Sequence, residues 1–315
     1  MKPTPPVTIF AIPKAFRFNI GVIQRNAIQS WKALLPSPRI LLLADDEGTA
    51  ETAREFGLEH IPHVARSEFG TPLLDSAFAL AHEAVREGWM TFLNSDIILT
   101  SDFMPAIGRV DFDDFLITGR RSDALVFDPI DFKDPSWEAA LKERVSRTGG
   151  LSGPTALDYF VFPHHMFPKV PPFAVGKGWW DHWFPAEALR RGATVIDATP
   201  AVLAVHQRHD YLATQEARRN QAWLGLPVNT ISTEVADYVL DAGVFSTPSR
   251  RVHLETYLEL KAPHRGDLVR WRKAHAVLNR FAARLPGRVR ATVRNTFATV
   301  FHGYEETRRA RPKER

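Results

Sequence analysis

The chain has 315 residues, 44% of them hydrophobic, with 40 Lys+Arg, 36 Asp+Glu, 12 His and no cysteine. At about 150 residues per domain this is one large domain or two small ones, and the apolar fraction excludes wholesale disorder. The lack of cysteine excludes a disulfide scaffold, a Cys-ligated zinc site and a thiol nucleophile.

Val7 to Ile12 and Ile40 to Ala44 are short apolar runs bounded by Pro or Asp, and predict buried strands. Between them Ile20 to Leu35 carries apolar residues at helical spacing and stops at Pro36. A short helix follows over Ala50 to Phe56, a strand over His60 to Val64, and a longer helix over Thr71 to Val85 with Pro72 in its first turn. Met90 to Leu93 and Phe115 to Thr118 predict two further strands. This rhythm implies an α/β fold with a mostly parallel sheet covered on both faces, where ligands bind at the carboxyl ends of the strands. The second half is less regular. It predicts helices over Ser136 to Arg147 and Trp180 to Arg190, a strand over Leu157 to Phe162, and one or two strands within Thr194 to His206 around Pro200. Gly149 to Gly153 reads as a mobile loop, and beyond Tyr211 the pattern is helical with breaks near Pro227 and Pro248.

Three segments carry candidate chemistry. In Phe92-Leu93-Asn94-Ser95-Asp96-Ile97 an apolar strand runs into polar residues, which puts Asp96 at a strand end where a carboxylate can hold a hard divalent cation beside phosphates. The same residues also suit turn capping, with Asp102 capping the next helix. In Gly176-Lys177-Gly178-Trp179-Trp180-Asp181 the tryptophans offer flat faces, and partial burial of Asp181 would raise its pKa towards that of a general base. An N-capping Asp on an inward-packed helix fits the segment equally. Finally, Ala204-Val205-His206-Gln207-Arg208-His209 is a strand ending in polar residues, where a neutral imidazole can complete a metal site with Asp96 and Arg208 can reach a phosphate. Asp158-Tyr159-Phe160 and His164-His165 are candidates to line an acceptor cleft, and the 149–153 loop is a candidate lid.

The order and spacing of these segments resemble nucleotide-sugar-dependent glycosyltransferases of the GT-A fold, over roughly residues 5 to 212. The resemblance implies a GT-A-like, Rossmann-type catalytic domain over 1–212, with a donor half to about 120 and an acceptor half from about 121. It also implies a divalent cation, Mn²⁺ or Mg²⁺, a nucleotide-sugar donor, and a glycan, lipid-linked or other hydroxyl acceptor. The family's metal-binding triplet is matched by Asn94-Ser95-Asp96, with Asn in place of the first acid. Asp181 matches the acceptor-activating base and His206 the later metal ligand. Pro13 and Lys14 at the end of the first strand, Asp45 at the end of the second and Arg66 after the third match the donor side. A base opposite the leaving group implies inversion at the anomeric carbon.

The formal net charge is +4, but residues 251–315 hold 16 Lys+Arg against 6 Asp+Glu, so the first 250 residues are net acidic. With apolar residues recurring from Leu268 to Val300, this predicts a helical 213–315 region with a basic amphipathic tail. The tail suits either packing across the body or peripheral contact with an anionic membrane surface. Nucleic acid is not an expected partner, since no recognition motif accompanies the charge. No leader or spanning segment is read, so the expected location is the cytoplasm, or the inner face of its membrane. Competing readings are a non-catalytic nucleotide-sugar or membrane-surface binding protein and a nucleotidyltransferase. The Gly-rich phosphate loop typical of the latter is missing after the first strand, and no G-x-G-x-x-G favours a dinucleotide enzyme.

Overall fold

The computed structural model describes residues 4–209, 215–224, 232–241 and 244–246. The elements in chain order begin with β1 (Val7–Ala11), α1 (Phe18–Lys32), β2 (Arg39–Leu43), α2 (Thr49–Phe56), β3 (Glu59–Ile61), α3 (Leu74–Ala84) and β4 (Trp89–Leu93). Next come β5 (Ile97–Leu99), α4 (Phe103–Ile107), β6 (Phe115–Thr118), β7 (Ser122–Ala124), α5 (Trp137–Thr148), β8 (Gly150–Leu151) and β9 (Tyr159–Pro163). The rest are α6 (Trp180–Arg190), β10 (Thr194–Asp197), β11 (Ala204–Gln207), α7 (Gln215–Leu224), β12 (Tyr238–Asp241) and β13 (Val244–Ser246), with a 3-10 turn at Thr233–Val235.

Nine strands form the main sheet in the order β13-β12-β10-β6-β9-β4-β1-β2-β3. It is largely parallel, with β9 antiparallel to both β4 and β6, and β13 antiparallel to β12. The architecture is mixed α/β, a central sheet flanked by helices. Strands buried on both faces read as continuous apolar runs, and β1, β4 and β9 are buried at every position. Alternate residues serve opposite faces. Phe10, Leu41, Phe92, Phe160 and Phe162 pack with Phe78 of α3 and Phe184 of α6. Ile9, Leu42, Leu93, Ile117 and Val161 pack with Ile28 and Trp31 of α1 and Phe103 of α4.

A second sheet, β5-β11-β7-β8, stands beside the main one at the carboxyl end of β4. It absorbs several segments that the sequence reads otherwise. The predicted Thr194 to His206 pair divides between the sheets, β10 in one and β11 in the other. Gly150–Leu151, within the expected mobile loop, pairs with β7. β12 and β13 extend the main sheet past residue 212, in a region the sequence reads as helical. The breaks near Pro227 and Pro248 and the basic tail lie outside the described residues. Among the described residues no helix is long and apolar enough to cross a membrane.

Phe78 is 1% exposed and lies within 5.0–6.0 Å of the rings of Phe10, Phe92, Phe162 and Phe184. Phe78→Ala should therefore cost about 3–5 kcal/mol in denaturant unfolding, a lower midpoint at unchanged slope.

Candidate functional site

Asp96 is the last of the three residues, Asn94 to Asp96, that connect β4 to β5. β5 pairs antiparallel with β11, with His206 opposite Ile97, so residues far apart in the chain share one strand end. Asp96 Oδ2 accepts from His209 Nε2 at 2.8 Å and stands 3.7 Å from His206 Nε2. One ligand atom from each of Asp96, His206 and His209 lies within 4.8 Å of the others. Asp96 Oδ1 is buried and has no hydrogen-bond partner among the described residues. Burial opposes ionisation of this carboxyl, but the His209 hydrogen bond and the nearby His206 and Lys14 hold its pKa below the ordinary value. A hard oxygen with two imidazoles, one carboxylate oxygen left unsatisfied, fits a divalent cation.

Asp181 occupies the first turn of α6. The approach runs through left-handed backbone at Gly176, Gly178 and Trp179, the last a strained geometry for a residue with a Cβ. Its carboxyl accepts from the His182 N–H at 3.1 Å, and the side chain keeps 22% of its exposure. Burial is the main reason its pKa is raised to about 6, with the Asp158 carboxylate adding to the rise against His182 and two backbone hydrogen bonds.

Asp158 links the two carboxylates' surroundings. It accepts from Asn94 Nδ2 at 2.6 Å and from Arg121 at 2.9 Å, and its backbone carbonyl accepts from the Asn94 N–H. Arg121 also approaches Asp123 Oδ1 at 3.2 Å, and Asp123 Oδ1 accepts from His206 Nδ1 at 2.7 Å. A run of polar contacts thus leads from Asn94 through Asp158, Arg121, Asp123 and His206 towards Asp96, its last step the 3.7 Å approach of His206 Nε2. Beside it a cleft of about 800 Å³ is walled by Ile20 and Ile23 of α1, Asp123 of β7, Phe127, His206 and His209.

The donor-side residues fall into two groups. Lys14 follows the buried Pro13 at the end of β1, and its backbone N–H and C=O both bond the Gln24 amide at 2.7 and 2.8 Å. Ser95 donates to the same Gln24 Oε1, so its hydroxyl braces the turn. Asp45 and Arg66 stand apart from the Asp96 group as an ion pair: Arg66 donates to Asp45 at 2.5 Å, to Asp46 at 2.8 Å and to the Gly70 carbonyl. The guanidinium expected to face a diphosphate is committed to two carboxylates here.

Some expectations fail on direction. β9 runs antiparallel to β4, so Asp158 at its start reaches the site while His164 and His165 at its far end do not; His165 bonds Asp114 at 2.6 Å. Tyr159 and Phe160 are core residues at 0% exposure, and Trp180, 3% exposed, packs on Phe92 and Phe160 rather than offering a face. Asp102 holds the N-cap position of α4 without capping it; its carboxyl accepts from Thr100 and the Leu203 N–H. The sequence reading assigns no role to His209, Asp123 or Arg121. His209 had a signal in its place three residues past His206, just beyond the strand. Asp123 lies in a three-residue strand whose partner no periodicity reveals.

No family model and no curated protein matches the chain. Among solved structures it is similar to the mannosyltransferase PcManGT from Pyrobaculum calidifontis in complex with GDP-Man and Mn²⁺. Identity is 13% over 95% of this chain and 81% of that one, at a TM-score of 0.44. A likeness this loose carries nothing over.

The raised pKa of Asp181 has a consequence for stability. A folded-state value of about 6 above an unfolded value near 3.8 means that the protonated form is favoured by folding. The associated stability is full below about pH 4 and is lost as pH rises through about 6. Asp181→Asn, neutral throughout, should exceed the wild type by roughly 1–3 kcal/mol above about pH 7 and lose that advantage below about pH 4. Melts of both proteins across this range check it.

Proposed function

We propose that this protein is a glycosyltransferase of GT-A type that moves a sugar from a nucleotide-sugar donor to an acceptor hydroxyl with inversion, assisted by a divalent cation. The observation that carries the reading is the Asp96–His206–His209 group with its unsatisfied Asp96 oxygen, together with the Asp181 carboxyl, whose pKa burial and the charge of Asp158 raise to about 6. Asp96, His206 and His209 would hold the cation, Mn²⁺ in preference to Mg²⁺ given two imidazoles, and when bound it would supply positive charge to the departing diphosphate.

The chain's own residues do the rest. Asp181 takes the proton of the acceptor hydroxyl while that oxygen bonds to the anomeric carbon and the bond to the donor phosphate breaks. Lys14, near enough to bias Asp96 electrostatically, adds positive charge on the leaving-group side. Asn94 replaces a first acid of the triplet with an amide whose task is to hold Asp158 beside Asp181. The acceptor is a hydroxyl compound, glycan or lipid-linked. We extend the proposal to a cytoplasmic protein whose basic tail contacts the membrane surface.

Melting of the purified protein against nucleoside diphosphates and nucleotide sugars, with and without Mn²⁺, tests the site. A ligand at about 100 times its Kd should add about 2.7 kcal/mol by mass action. The shift should belong to one nucleotide, require the metal and vanish in Asp96→Ala. With the matched donor, Asp181→Asn should lower turnover by about 10²–10⁴-fold and abolish an activity limb that rises through about pH 6. A metal-dependent shift without turnover on any acceptor would favour a nucleotide-sugar binding protein, and no shift at millimolar ligand would defeat the reading.

A further inference from the structure

We propose that Asp123 is a positioning residue for the metal group, fixing the His206 ring by its Nδ1 so that Nε2 is the nitrogen presented to Asp96. The inference rests on the functional reading above. β7 and β11 run parallel with Asp123 paired to His206 in register, so the two side chains issue from neighbouring backbone positions. His206 Nδ1 donates to Asp123 Oδ1 at 2.7 Å, while Nε2 stands 3.7 Å from Asp96 Oδ2. A neutral imidazole has one protonated nitrogen; if Nδ1 carries the proton to Asp123, the lone pair belongs to Nε2. With only 2% exposure, the His206 ring has little room to trade these partners. A carboxylate behind a ligating imidazole selects the tautomer and fixes the ring plane.

Asp123 is itself held more firmly than a simple ion pair requires. Ser152 Oγ donates to its other oxygen Oδ2, and Arg121 Nε lies 3.2 Å from Oδ1 while its NH1 bonds Asp158. Its backbone is closed in by the turn before β8: a Cβ at Gly149 would collide with the Asp123 carbonyl oxygen, so the turn can close this tightly only over glycine. Side chain and backbone are thereby located by Ser152, Arg121 and the turn before β8.

Two readouts on the full-length protein test the proposal without turnover. Mn²⁺ affinity, measured by electron paramagnetic resonance of the free ion in the absence of donor, should weaken about 10–100-fold in Asp123→Ala. Asp123→Asn, whose carbonyl still accepts the Nδ1 proton, should stay within a few-fold of the wild type. In the metal-free protein, ¹⁵N–¹H correlation spectra of the His206 ring should report the Nδ1–H tautomer in wild type and Asp123→Asn, and lose it in Asp123→Ala. Melting curves establish that each variant is folded, and Asp123→Val, suited to a strand, replaces Asp123→Ala if that variant is not. A folded Asp123→Ala or Asp123→Val protein with wild-type Mn²⁺ affinity and an unchanged His206 tautomer would overturn the proposal. Failure of the wild-type chain to bind Mn²⁺ would overturn the metal reading and this inference together, a result distinct from a site that binds equally with and without Asp123.

Discussion

β5 and β11 pair antiparallel with His206 opposite Ile97, and that register is the constraint on which the rest of the site depends. It brings Asp96 to His209, 113 residues further along the chain, and a slip of one residue would turn His206 to the opposite face. The register is pinned from below by Gln207, fully buried, whose amide donates to the carbonyls of Ile23 and Asp96 and accepts from Asn26. Asn26 in turn fastens the Asp128–Ile130 segment through two more bonds. Among its buried apolar residues α1 therefore also carries buried Gln24, Asn26 and Ser30, each with partners. Such a network costs dearly if any member is lost, because the others remain buried without a partner.

The carboxyls of Asp96 and Asp181 are shifted in opposite directions. Both Asp96 and Asp181 are pushed towards the neutral form by desolvation. Asp96 is surrounded by His209, His206 and Lys14, and their combined pull keeps it ionised. Asp181 has one histidine neighbour and faces the Asp158 carboxylate, so burial prevails. Relative to an ordinary aspartate, one carboxyl is thus favoured in its charged form and the other in its protonated form.

Much of this was legible in the sequence, for a definite reason. Asp96 and His206 each end an apolar run, and for Asp96, past the carboxyl end of β4 in the main sheet, that is the position where ligands bind in such folds. Seven of the main sheet's nine strands followed from period and breakers, β12 and β13 falling where the sequence reads helix, and α6 begins and ends at the residues predicted. What periodicity reports is burial, not partnership. β5, β7 and β8 are three, three and two residues long, too short to show alternation, so the second sheet was invisible. With it went Asp123 and Arg121, which act only through neighbours brought in by that sheet. The reversed direction of β9 was equally hidden, and it alone decides that Asp158 belongs to the site and His165 to the opposite edge.

Arg121 shows why the hidden residues matter as much as the legible ones. It touches both Asp123, behind the His206 ring, and Asp158, whose charge helps raise the Asp181 pKa. Without it those two carboxylates would lie close to one another's partners with no positive charge between them, and each would lose an orienting donor. The guanidinium suits the position because its planar fork can serve two acids at once, which a lysine ammonium at the end of a flexible stem does less well. Asp123 and Asp158 are held in one frame by this side chain, and the spacing of motifs along the chain carries no trace of that dependence.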